Sequence, residues 1–238
     1  MKVRIKFRKY GALRFIGHLD VMRFFQKAMR RAEIPIAFTA GYSPHMIMSF
    51  ANPLGIGLSS DGEYFDIELS GPISSKEAVR RLNEAMVEGM EVVSFRQIAE
   101  EKKMTGMAIV AAADYRTTVK KGVFPADWAE KIAAFMTQPE IRILKETKRS
   151  ANEVDIKPMI YRLEAEADTV CMQVAAGSVQ NLKPGLVMEA FCHFMWIDFA
   201  ESDYSHHRLE MYADRGQEGR RELVTLEDLG SEMEMETA

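Results

Sequence analysis

The sequence predicts an α+β protein made of two ferredoxin-like (split βαβ) units with antiparallel sheets, followed by an acidic C-terminal tail. Three observations lead there. Residues 2–9 alternate Val3, Ile5 and Phe7 with Lys2, Arg4, Lys6 and Arg8, the period-two pattern of a strand with one apolar and one cationic face. The first hundred residues then run in the order β-α-β-β-α-β, which is the split βαβ arrangement. The second half repeats that plan with different residues, so the halves share an order of elements without a clear sequence repeat.

After the turn at Tyr10-Gly11, Phe15, Leu19, Met22, Phe25, Ala28, Met29 and Ala32 recur at helical spacing. Asp20 near the start and Arg30 and Arg31 in the last turn complement the helix dipole, and the helix is expected from His18 to Ala32. A short strand is expected over 34–39, then a loop over 40–45, an apolar stretch over 47–50 and a strand over 63–69. A helix capped by Ser74 or Ser75 follows, and a strand over 90–98 closes the first unit, leaving one face of its sheet open. In the second half, strands are expected over 113–120 and 141–145, a helix over 125–136 with Pro at its first position, and a hairpin over 160–176 turning at Asp168-Thr169. A helix over 185–195 and a strand over 208–212 complete the set. The domains are therefore expected at 1–101 (basic, ferredoxin-like) and 107–213 (ferredoxin-like). The acidic stretch 214–238 is expected to be frayed.

At 238 residues with 47% hydrophobic and 28% charged residues, the chain has the composition of a globular protein. No apolar run approaches the roughly 20 residues that span a bilayer, and no signal peptide opens the chain; a cytoplasmic protein with no membrane partner is expected. Cys171 and Cys192 have no Cys-x-x-Cys spacing, which argues against a disulfide framework or zinc ribbon and for buried thiols. The net charge of −4 hides an asymmetry. Up to residue 60, Lys2, Arg4, Lys6, Arg8, Lys9, Arg14, Arg23, Lys27, Arg30 and Arg31 stand against only Asp20 and Glu33, whereas acids dominate beyond Asp214.

Cations for phosphates together with rings for unstacked bases are what single-stranded RNA binding needs. Arg4, Arg8, Arg14 and Arg23 supply the first, Tyr10 and Tyr42, on loops, the second. Lys148 and Arg149, in the polar stretch 145–157, would extend the same surface. His18 and His45 sit in the two most unusual segments. They read as capping or ligand-contacting residues, with a general acid and base for RNA cleavage as the catalytic alternative. His206-His207 is a poor metal pair, because neighbours in a strand point to opposite faces. The stretch 52–57 has glycines but lacks the Lys-Ser/Thr of a phosphate loop.

Four motifs in order, Leu-Arg-Phe-Ile-Gly-His-Leu-Asp over 13–20, Gly-Tyr-Ser-Pro-His over 41–45, Pro-Leu-Gly-Ile-Gly over 53–57 and Gly-Glu-Tyr-Phe-Asp-Ile-Glu-Leu over 62–69, resemble the radical SAM-linked family. Its domain occurs alone or fused behind a cobalamin-binding-type radical SAM protein, and the likeness covers residues 1 to about 210. The resemblance implies an accessory or substrate-presenting role. The Cys-x-x-x-Cys-x-x-Cys cluster of a radical SAM iron–sulfur centre is missing, so such an enzyme would be a separate polypeptide. The expectation is a non-enzymatic accessory protein that binds RNA (tRNA or rRNA), a radical SAM enzyme, or both, and needs no cofactor or metal of its own. The alternatives are a metal-independent RNA-processing enzyme using His18 and His45, and a purely protein-binding subunit.

Overall fold

A computed structural model describes residues 1–122, 124–146, 151–217 and 219–234. The chain is a mixed α+β protein with a mainly antiparallel sheet. β1 (Lys2–Lys9) leads through a 3-10 turn (Gly11–Phe15) into α1 (His18–Arg31), β2 (Met48–Phe50), β3 (Ser59–Glu68), α2 (Ser75–Glu84) and β4 (Met90–Gln97). The short α3 (Gly106–Ile109) then leads into β5 (Val110–Val119), α4 (Trp128–Thr137) and the hairpin β6 (Arg142–Glu146) and β7 (Ala151–Asp155). The chain continues through β8 (Ile160–Glu166), β9 (Thr169–Ala175), α5 (Pro184–Phe194), β10 (Tyr204–Asp214) and β11 (Leu223–Thr225).

The two halves merge into one nine-stranded sheet in the order β4-β1-β3-β10-β5-β9-β8, with β2 added beside β3 and β11 beside β10. In the first half β1 lies between β4 and β3, antiparallel to both, and β2 pairs antiparallel with β3. In the second half β5 lies between β10 and β9, antiparallel to both, and β8 pairs antiparallel with β9. A short parallel contact, His207 beside Ser59 and Arg208 beside Ser60, closes the seam.

Each half has its own apolar core. Val21, Phe25, Ala28 and Met29 line one stripe of α1, and Val21, Phe25 and Met29 pack with Val3, Ile5 and Phe7 of β1 and Phe65 and Ile67 of β3. The Phe7, Phe25, Phe50 and Phe65 rings meet at centroid distances of 4.6–6.3 Å, in the range where aromatic pairs add to burial. In the second core, Ile132 and Phe135 of α4 and Val187, Met188 and Phe191 of α5 pack on Val170, Met172 and Val174 of β9. Ser74 caps α2 by accepting from the Glu77 amide at 3.2 Å.

Several expectations need correction. Residues 34–39 make only isolated bridges, because Pro35 has no N–H to give a ladder; Ile36 pairs with Leu69 and Phe38 with Met46. α4 starts at Trp128, with Pro125 in the turn before it rather than at its first position. Part of the stretch 145–157 is the strand β7. The face of β1 and β3 expected to be open is covered by the segment around Met104 and Gly106, whose carbonyl and amide meet Arg4 and Asp66, and by the chain's return around Leu226 and Glu227, which meet Arg4 and Lys6. The acidic stretch is not a frayed tail up to 234: β11 pairs with β10, Leu226 is 0% exposed inside the second core, and Ser231 exchanges backbone hydrogen bonds with Gln97.

α5 ends in a reciprocal C-terminal motif, with the Trp196 amide donating to the His193 carbonyl at 3.0 Å and the Ile197 amide to the Cys192 carbonyl at 3.0 Å. The left-handed position, normally glycine, is Trp196 at φ 60°, with its indole 95% exposed. Trp196→Gly is therefore expected to stabilise the fold by about 0.5–1 kcal/mol, the strain relieved exceeding glycine's added unfolded-state entropy. A urea midpoint that moves down would refute this.

Candidate functional site at the seam

The cationic face of β1 is mostly neutralised from within. Arg4 is 2% exposed and makes a two-pronged contact with Asp66, its cross-strand partner, with Nε to Oδ1 at 2.8 Å and Nη2 to Oδ2 at 3.0 Å. Expected at an RNA surface, it is instead a buried structural ion, because the covering segments leave the far side of the sheet dry. Lys6 reaches Glu210 at 2.7 Å and Glu227 at 2.8 Å; although burial works against its charge, these carboxylates raise its pKa. Arg8, half exposed, has Asp61 at 3.5 Å and Glu91 at 3.2 Å.

The other expected residues are spread along the turn, α1 and the loop after it. Tyr10 is exposed, and the Arg14 guanidinium lies over the Phe15 ring at 4.7 Å. His18 opens α1 edge-on to Phe50 at 5.0 Å, and burial lowers its pKa. Arg23 is exposed, 3.6 Å from Asp20. Tyr42 is fully exposed, and His45 shares a 3.1 Å hydrogen bond between its Nδ1 and the Thr39 hydroxyl. His18 lines a cavity at the seam and His45 does not, so the structure gives these two histidines separate surroundings. Lys148 and Arg149 lie outside the described residues.

Sequence reasoning missed the charged groups buried where the halves meet. Lys9, on the apolar face of β1, gives its ammonium to the Ile16 carbonyl at 3.2 Å, and burial lowers its pKa despite Glu63 nearby. Arg208 is 3% exposed. Its Nη1 donates to Glu63 Oε1 at 2.9 Å and to the Asn52 carbonyl at 2.8 Å, and its Nε donates to the Tyr115 hydroxyl at 3.0 Å. Burial works against its charge, but Glu63 and Tyr115 raise its pKa. His206, two residues away on the same face, takes Thr117 Oγ1 at 2.9 Å on Nδ1. Its Nε2 lies 3.2 Å from Glu201 Oε1 but makes no aligned hydrogen bond. On the opposite face His207 bridges Ser59, 2.8 Å from Nδ1, and Asp61, 2.9 Å from Nε2.

Two cavities flank Pro53. One, of about 360 Å³, is lined by His18, Met22, Phe50 and Met107; the other, of about 320 Å³, by Ile56, Tyr115, Lys183, His206 and Arg208. Both volumes are at the small end of the ligand-pocket range. A further concavity of about 520 Å³ lies between the ends of α1 and α2, where Arg80 and Arg81 are already paired with Glu77 and Glu84. Among the described residues, no group of three or more His, Cys, Asp or Glu side chains is placed to hold a metal ion. Cys171 is half-buried and Cys192 buried, both as free thiols. No helix among the described residues is long and apolar enough to cross a membrane.

Fold and seam together define a mixed α+β protein with charged residues buried between two halves. The chain belongs to the family described as uncharacterized protein conserved in bacteria (DUF2344), whose model matches residues 2–184; β10, with His206 and Arg208, lies beyond that match. No curated protein matches the chain. Among solved structures, it is similar to a chain in the crystal structure of a Cbf5-Nop10-Gar1 complex, at a TM-score of 0.44 and 14% identity. That match covers 88% of this chain and 48% of the other, so this chain spans about half the length of its neighbour.

Proposed function

We propose that this is a cytoplasmic, non-enzymatic accessory protein that binds single-stranded stretches of RNA (tRNA or rRNA) and presents them to a separate radical SAM enzyme. Each half is read as a ferredoxin-like unit, 1–101 and 107–213, a reading supported by the strand order in which the first strand lies between the third and fourth. The observation that carries RNA binding is what remains after the β1 cations are paired off. Arg14, Arg23, Lys27 and Arg30 stay at the surface of the turn and α1, and among the described residues no ion pair engages Arg14, Lys27 or Arg30. Exposed rings lie on the same stretch, Tyr10 and Phe15 directly before α1 and Tyr42 on the following loop. Cations spaced along the outer side of a helix beside exposed rings suit a flexible polyanion whose bases stack. The radical SAM partner rests on the motif resemblance alone.

The test is fluorescence anisotropy with a labelled single-stranded RNA across a salt series. Arg14→Glu/Arg23→Glu/Lys27→Glu should weaken binding by at least about tenfold and flatten the slope of log K against log salt by about 2, the value for three lost phosphate contacts on a single strand. Equal affinity and slope in the wild type and the triple variant would remove the reading. A ribonuclease would need His18 and His45 on one substrate; His18 lines the 360 Å³ cavity, whereas His45 is hydrogen-bonded to Thr39 and is not in that lining.

A further inference from the structure

The 320 Å³ cavity lies at the seam of the two halves. Its outer wall is the loop over 53–58, and that loop is docked on the turn before α1. The Gly57 amide donates to the Arg14 carbonyl at 2.8 Å, and the Ile56 side chain lies against Gly17, where an added Cβ would be 3.8 Å from Ile56 Cδ1. Ile56 is exposed at the mouth, with Phe15 and Leu19 exposed on the neighbouring segment.

Inside, the walls differ in chemistry. Pro53, Ile56 and Leu58 form an apolar side, which suits the flat face of a heterocycle. The opposite side carries Tyr115, His206 and Arg208, held rigidly. Arg208 is fixed by Glu63, the Asn52 carbonyl and Tyr115, and the Tyr115 oxygen that accepts from Arg208 keeps its own proton to donate. His206 is fixed through Thr117, and its Nε2, in a residue 4% exposed, has Glu201 Oε1, also in the cavity wall, 3.2 Å away without an aligned hydrogen bond. Lys183, an exposed cation, is also part of the lining.

We infer that this cavity receives one unstacked base of the bound RNA strand, its face against Pro53 and Ile56 and its polar edge toward Tyr115 and His206. The inference deepens the RNA-binding reading and rests on it. The volume suits a single nucleoside, and unstacked bases are the part of RNA that proteins read by hydrogen bonding and packing.

A short single-stranded RNA with an end label and one internal 2-aminopurine separates the two claims. Anisotropy of the label reports binding, and 2-aminopurine emission reports a base leaving its stack. With the wild type, both should rise, emission by about threefold as the base is drawn from its neighbours. Leu58→Phe and, separately, Gly55→Leu fill the cavity or its mouth without altering the cations or the residues that would pack on the base. In whichever variant keeps the wild-type melting temperature, anisotropy should persist within about threefold in affinity while the emission rise is lost. Binding without an emission rise in the wild type, or an equal rise in the filled variants, overturns the cavity assignment and leaves RNA binding standing. No anisotropy change with the wild type sinks RNA binding and the cavity assignment together.

Discussion

Asp66→Ala is expected to destabilise the protein by about 3–5 kcal/mol, the cost of leaving one partner of a buried ion pair uncompensated. Arg4 would keep its charge in a dry position, with only the Met104 and Leu226 carbonyls, at 2.9 and 3.3 Å, left as acceptors. The same carboxylate accepts from the Gly106 amide at 2.7 Å, so the substitution also orphans a buried backbone donor at the start of α3. Ala51 closes the space on one side of Gly106, where an added Cβ would meet Ala51 Cβ at 2.9 Å. The double variant Arg4→Met/Asp66→Leu removes both charges and should be less destabilised than Asp66→Ala alone, giving a favourable coupling energy in the double-mutant cycle. Urea unfolding of the wild type, each single variant and the double variant measures this. A loss below about 1 kcal/mol for Asp66→Ala would mean that water reaches Arg4 and that the covering segments are not seated as described.

What could be read from the sequence follows from how local each signal was. β1, α1, α2, β4, the β8–β9 hairpin and α5 fall where periodicity and caps put them, because one apolar stripe or alternation sets each element. β10 was expected only over 208–212 and runs over 204–214. Its inward residues are Tyr204, His206 and Arg208, then, after a register shift between Arg208 and Glu210, Met211 and Ala213, so the alternation breaks in the middle. The joining of the halves into one sheet was illegible, since it depends on a two-residue parallel contact between segments nearly 150 positions apart. The buried charges do carry a signal in the sequence. Lys9 shares the parity of Val3, Ile5 and Phe7, and Glu63 that of Phe65 and Ile67, so each sits on a core-facing row of its strand. A charged residue on an apolar row is costly unless paired, and parity alone would have pointed to a seam site.

The charge asymmetry was legible, but its meaning changes once the chain folds. The acids after Asp214 were expected to be a solvated tail opposite a basic surface; Glu227 instead reaches back to Lys6 at 2.8 Å and Arg96 at 3.8 Å. Deleting residues 222–238 is therefore expected to cost at least about 3 kcal/mol, dominated by the loss of Leu226 from the second core, for which a Leu→Ala change alone costs about 2–5 kcal/mol. β11, the Ser231–Gln97 bridge and the Leu226 carbonyl that accepts from Arg4 would go with it. Leu226→Ala should reproduce most of the loss, while Glu227→Gln, which keeps the shape and removes the charge, should cost much less because Lys6 retains Glu210. The electrostatic share has a definite pH sign. Burial pushes Glu227 up, but Lys6 and its other partners win and lower its pKa below the ordinary carboxylate value. A depressed carboxylate contributes stability above its unfolded pKa, about 4.3, and that contribution is lost as pH falls through the folded value. The stability gap between wild type and Glu227→Gln should thus be constant near neutrality and close in acid. Thermal melts of the truncated chain matching the full chain would show that the C-terminal return is not packed on the sheet, and would reopen the strand cations to an external partner.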